Sequence, residues 1–192
     1  MAEPVTERRK RLAGEDWLLA GFRALVRQGP SGLKAEGLAR DLGTTKGSFY
    51  WHFADVPTFR AEMLAYWAAR AYGDVIAQVE AAPSPAARLQ KLALLAVSHR
   101  DPAYGGAAVE PALRAWARED ANVARAVAEM DGRRVNYVKA LCLGAGVTDP
   151  ALPHLLYAAS TGYADFDQSA FGLADAEAGM LALLRMAGIG AA

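Results

Sequence analysis

Between Thr44 and His52 the chain gathers side chains able to hold phosphate or read a base edge. Lys46 brings a cation, Thr44, Thr45 and Ser48 bring hydroxyls, Tyr50 a phenol and His52 an imidazole. Such groups donate to phosphate oxygens or meet base edges when they project from one side of a short helix. Phe49 and Phe53, four apart, would pin the other side of that helix to a core. Upstream, Leu38, Ala39 and Leu42 recur at helical spacing, and Gly43 suits the left-handed residue that ends a helix. Thr44 or Thr45 then caps the next one. Helix, sharp turn and short second helix make a helix-turn-helix, which lays its second helix in the DNA major groove.

A helix this short does not fold alone, so other elements must hold it. A first helix, starting at Thr6 or Gly14 and ending at Gln28, carries the stripe Leu18, Phe22 and Leu25 and stops at Gly29-Pro30-Ser31-Gly32. The reading pair falls at about 34–42 and 45–50. Asp55 caps a fourth helix and Pro57 fits its first turn. That helix runs to about Glu80 with Phe59, Met63, Leu64, Trp67 and Ala71 inward. Further helices are predicted near 86–99, 109–118, 122–143, 149–165 and 173–186. The expectation is an all-α chain, with a helix-turn-helix domain over 1–54 and a larger helical effector-binding and dimerisation domain over 55–192.

Three pieces in order carry a family resemblance: the helix ending at Arg27-Gln28-Gly29, the stretch Leu38-Ala39-Arg40-Asp41-Leu42-Gly43, and Lys46-Gly47-Ser48-Phe49-Tyr50-Trp51-His52-Phe53. Residues of roughly 10–65 resemble the DNA-binding domain of TetR-family transcriptional regulators. The resemblance implies that Tyr50 and His52 clamp the DNA backbone. It also implies a homodimer on a double-stranded operator and a cavity for a small-molecule effector of unknown identity. Two positions depart from the family pattern. Leu33-Lys34 stands where a Thr or Ser usually caps the first helix of the pair, so the cap is weakened and Lys34 takes over a phosphate contact. Ala54-Asp55-Val56-Pro57 lacks the common lysine there, and only backbone amides remain for phosphate.

The charge distribution agrees. The chain has 192 residues and no net charge, yet residues 1–53 hold nine Lys/Arg against six Asp/Glu. A basic head on a neutral-to-acidic body suits DNA. Arg8-Arg9-Lys10-Arg11 reads as a solvated terminus or as an arm touching phosphate. Cys142 is the only cysteine, so no intrachain disulfide forms and no cysteine metal site fits. Its apolar run marks it as a buried small hydrophobe, with a redox-sensing thiol as the alternative. No stretch reads as a signal peptide or a membrane span, so a cytoplasmic protein is expected. No nucleophile elbow, phosphate loop or dinucleotide fingerprint is present, and the histidines lack ligand spacing. No enzyme, metal or cofactor is expected.

In the body, the resemblance implies a cavity among the helices near 55–80, 86–99, 109–118 and 122–143. Its candidate lining is Tyr66, Trp67, Arg70, His99, Tyr104, Trp116, Met130, Arg134 and Tyr137, aromatic walls with a few polar anchors. The last two helices read as a dimer interface. Leu152, Leu155, Leu156, Ala159 and Tyr163 form one stripe and Met180, Leu183 and Leu184 its partner, with packing inside the chain as the alternative. The combined expectation is a repressor released from a palindromic operator by its effector. The alternatives are an activator or ligand-insensitive regulator of the same fold, or a helical ligand-binding protein that binds no DNA.

Overall fold

The computed structural model describes residues 12–98, 104–166 and 172–189. Among them the regular structure is all helical. Helix α1 (Gly14–Gln28) opens with Asp16 accepting the Ala13 N–H at 2.7 Å. It buries Trp17, Phe22 and Leu25. Helices α2 (Ala35–Asp41) and α3 (Lys46–His52) are the predicted pair. Lys34 precedes α2 without any side-chain cap, as its residue type dictates.

The turn between them is stereochemically specific. Gly43 has φ 63°, its N–H donates to Arg40 O at 3.1 Å, and the Thr44 N–H reaches back to Ala39 O at 2.8 Å. That pair of bonds satisfies the last carbonyls of α2 and needs a residue tolerant of positive φ. Thr45 then caps α3, its hydroxyl accepting the Ser48 N–H at 3.3 Å. Thr44 is therefore not the cap.

Asp55 caps α4 (Val56–Ala68) through the Thr58 N–H at 2.7 Å. Phe59, Met63 and Trp67, four residues apart, bury one face of it. The predicted single helix to Glu80 is interrupted: Ala69–Asp74 is π-helical and leads into α5 (Val75–Glu80). Helix α6 (Pro85–Ser98), α7 (Val109–Ala117), α8 (Ala121–Gly144), α9 (Leu152–Asp165) and α10 (Leu173–Met186) complete the body.

Two hydrophobic clusters organise these helices. The first joins α1–α4 to α7 and the first half of α8, so Trp17, Phe49, Phe59, Trp67, Trp116 and Met130 share one core. The second joins α5, α6, the end of α8, α9 and α10, with Cys142 buried inside it. Burial pushes the Cys142 thiol pKa upward, which suits a packing residue and not a reactive thiolate. The N-terminal helices α1–α3 are thus continuous with the body through α4. Close approach of α1 and α4 depends on Gly21, where a Cβ would come within 2.6 Å of Phe59 and 2.7 Å of the Met63 sulfur.

Candidate DNA-reading helix and body cavity

Helix α3 is held from below by aromatic packing. Phe49 is fully buried and meets Trp17 at 5.4 Å, Phe53 at 5.2 Å and Phe59 at 5.3 Å between ring centroids. Its other side faces solvent. Thr45, Lys46, Tyr50 and His52 are exposed, Ser48 and Thr44 are half-buried, and Lys34 is exposed at the head of α2. Trp51 is 88% exposed, so it does not pack on α1. Lys46 already has a partner. It forms an ion pair with Glu36 of α2 and lies 6.0 Å from the Tyr50 ring centroid. The hydrogen bond between them, reinforced by their charges, raises the lysine pKa, and the same bond lowers that of Glu36. Residues 8–11 lie outside the described residues.

The body holds a cavity of about 200 Å³ between the π-helical stretch, α5, α6, α7, α8 and α9. Of the predicted lining, Trp67, Arg70, Tyr104, Arg134 and Tyr137 come together on its wall. Tyr66 does not: it sits beside Arg70, donating to Glu15 at 2.6 Å. Trp116 and Met130 belong to the head-side core, with the Arg60 guanidinium 5.6 Å from the Trp116 ring centroid. Each lies on a stripe facing α1 and α4, and so turns away from the cavity. His99 falls outside the described residues.

The most organised part of the wall was not expected from sequence. Glu110 of α7 accepts the Trp67 Nε1–H at 3.0 Å and the Arg134 guanidinium at 2.7 Å. Arg134 also donates to Ala71 O, in the π-helical stretch, at 3.3 Å. Beside it, Arg114 grips Asp131 with two bonds of 2.9 and 2.7 Å, and Tyr157 donates to the same carboxylate at 2.6 Å. Burial pulls the Asp131 pKa up, but the bonds from Arg114 and Tyr157 outweigh it and hold the carboxyl below its usual range. Burial raises the Tyr157 pKa, and Asp131 raises it further. The Tyr104 hydroxyl is buried without a hydrogen-bond partner, and burial, then the Glu110 charge, keeps it protonated. Glu110 and Arg114 stand four apart on the flank of α7's Val109–Leu113–Trp116 stripe, the one local signal that they face inward. Their partners lie on other helices, at spacings no local pattern reveals. Among the described residues no cluster of three or more His, Cys, Asp or Glu could hold a metal ion.

The predicted interface residues divide. Leu152, Leu156, Met180 and Leu184 are buried within the chain's own second core. The reason is that α9 and α10 lay their stripes on α6 and α8 of the same chain. Ala159, Tyr163 and Leu183 pack against the edge of that core, and Tyr163 covers Gly179 of α10. Leu155, at 58% exposure, points outward, and so do Phe166, Leu173 and Met186, the last at 76%.

Comparison with solved structures places this arrangement. A transcriptional regulator from Rhodococcus sp. Rha1 matches with a TM-score of 0.73 at 18% identity, over 91% of this chain and 95% of that one. A protein described as a TetR-family transcriptional regulator from Rhodococcus sp. gives 0.68 at 20% identity, over 91% and 97%. Another so described, from Mesorhizobium loti MAFF303099, gives 0.54 at 19%, over 90% and 95%. No protein-family model matches the sequence, and no curated protein does. The likeness extends over about 90% of the chain: it has the all-α fold of the TetR-family transcriptional regulators.

Proposed function

We propose that the chain is a sequence-specific DNA-binding transcriptional regulator. It acts as a homodimer, a repressor that leaves a palindromic operator when a small molecule occupies the body cavity. The observation that carries the reading is α3: a polar, solvent-facing helix fixed on a buried aromatic platform. Tyr50, His52 and Lys34 serve phosphate, and Thr44, Thr45, Ser48 and Lys46 serve phosphate or base edges. The chain has no role as an enzyme in this reading.

The outward residues Leu155, Phe166, Leu173 and Met186 supply the dimer contact, since exposed apolar side chains on two adjacent helices mark an association surface. Coupling runs through α4. Its first half lies in the head core, and its π-helical continuation forms cavity wall and is tied to Arg134. Single π turns inside α-helices recur at functional sites. A ligand that disturbs this wall shifts the heads only by its preference for the DNA-incompetent spacing, a coupling of about 1–3 kcal/mol.

The Lys46–Glu36 ion pair favours the second reading, a helical ligand-binding protein without DNA binding, because it occupies the one cation of α3. Both groups are exposed, so exchange of Glu36 for phosphate costs little. A gel shift with the DNA flanking the gene, challenged by unrelated duplex, tests the choice. A complex that survives the competitor is expected; a folded protein that shifts neither duplex leaves the second reading.

A further inference from the structure

We infer that the body cavity takes an uncharged, mainly apolar ligand and excludes carboxylates, phosphates and sulfonates. This rests on the reading of the cavity as the effector site. Three arginines stand on its wall, which at first sight suits an anion. Each already has a carboxylate. Arg134 donates to Glu110 at 2.7 Å, and Arg114 donates two bonds to Asp131. Arg70 lies 3.8 Å from both Glu15 and Asp74. At Arg114 or Arg134 an anionic ligand would have to displace a carboxylate and leave it without its cation in a half-buried site, which is costly; at Arg70 it would meet the charges of the exposed Glu15 and Asp74.

Three further polar groups of the wall are also satisfied, whereas the Tyr104 hydroxyl is not. The Trp67 N–H goes to Glu110, the Tyr137 hydroxyl to Glu80, and the Tyr157 hydroxyl to Asp131. What remains for a ligand is the Tyr104 hydroxyl, a neutral group, and apolar surface from α5, α6 and α8: Val75, Ile76, Leu89, Leu92, Val97 and Val138. A neutral hydrophobic body fits such a wall without breaking any bond it contains.

A matched pair of fluorescent probes tests the charge directly. N-phenyl-1-naphthylamine is neutral, and 8-anilino-1-naphthalenesulfonate is the same skeleton with a sulfonate. Titrated into the full chain, the neutral probe should bind at least about tenfold more tightly. Ile76→Trp, or independently Leu92→Trp, should remove its binding while circular dichroism stays native; both positions are half-buried, so either tolerates the larger ring. Asp131→Asn, which strips Arg114 of its carboxylate, should recover affinity for the sulfonate. Equal or tighter binding of the sulfonate to the wild type would overturn the inference, as would binding of neither probe. Retention on DNA is measured on the same preparation. Its loss with the neutral preference intact removes the regulator reading alone, and the reverse pattern removes the ligand class alone.

Discussion

On the reading proposed for α3, Lys46 and Glu36 set the balance at its DNA-facing surface. If Lys46 holds phosphate, Lys46→Ala weakens binding to every duplex alike and lowers the salt slope by about one. If it reads guanine, specificity relaxes at one position by roughly 1–3 kcal/mol. Glu36→Gln has the opposite sign, since it frees Lys46 and removes a negative charge, and should tighten binding roughly two- to fivefold. Anisotropy titrations of both variants check this; no change in either removes the pair from the interface. In the body, Asp131 is the residue to titrate. Its folded-state pKa is depressed, so its contribution is whole above the unfolded value of about 3.9 and is lost as pH falls through the folded one. Asp131→Asn should cost about 1–3 kcal/mol in urea unfolding at pH ~7 and clearly less at pH ~3. An equal cost at both would contradict the charged pair. The exposed polar side chains of α3 were legible because they lie in one short run of sequence, Thr45 to His52. Glu110, Arg114, Asp131 and Tyr157 were not, because a network drawn from α7, α8 and α9 has no spacing along the chain.

At the scale of elements, the helices were readable from their stops and stripes. Gly43 ends α2 and Asp55 begins α4 where backbone chemistry requires, and the buried stripe Leu18, Phe22 and Leu25 of α1 recurs at helical spacing. The π-helical stretch was not readable, since Gly73 alone weakens the helix pattern within Ala69–Asp74 and a lone glycine does not specify a π turn; its tie to Arg134 comes from the tertiary structure. The outward face of α9 was likewise obscured. Leu155 and Leu156 are neighbours in sequence, yet one is exposed and the other buried on α6 and α8. The junction of α1 with α4 makes its own prediction. Gly21→Val inserts atoms where Phe59 and Met63 already sit, and should cost about 1–3 kcal/mol of stability. Thermal unfolding measures it; an unchanged midpoint would mean that the two helices can part at that point without penalty.

For the whole molecule, binding to a palindrome needs two heads at a fixed distance. A two-fold dimer would place its half-sites one helical turn apart, ~34–36 Å, or a multiple of that. Leu155→Glu with Met186→Glu leaves the chain's own core intact, and should give folded monomers in sedimentation that no longer bind operator. Leu156→Glu would instead unfold the second core and test nothing about association. The fold likeness to known regulators rests on helix order and packing at about one-fifth identity, so DNA binding itself is the claim to measure. The direct measurement is fluorescence anisotropy of the wild-type chain on a duplex from the DNA flanking its gene, against a scrambled duplex, from about 50 to 200 mM salt. The account predicts tight, selective binding to the flanking duplex that falls by orders of magnitude over that range. Equal binding to both duplexes, or a folded dimer that binds neither at low salt, would contradict it.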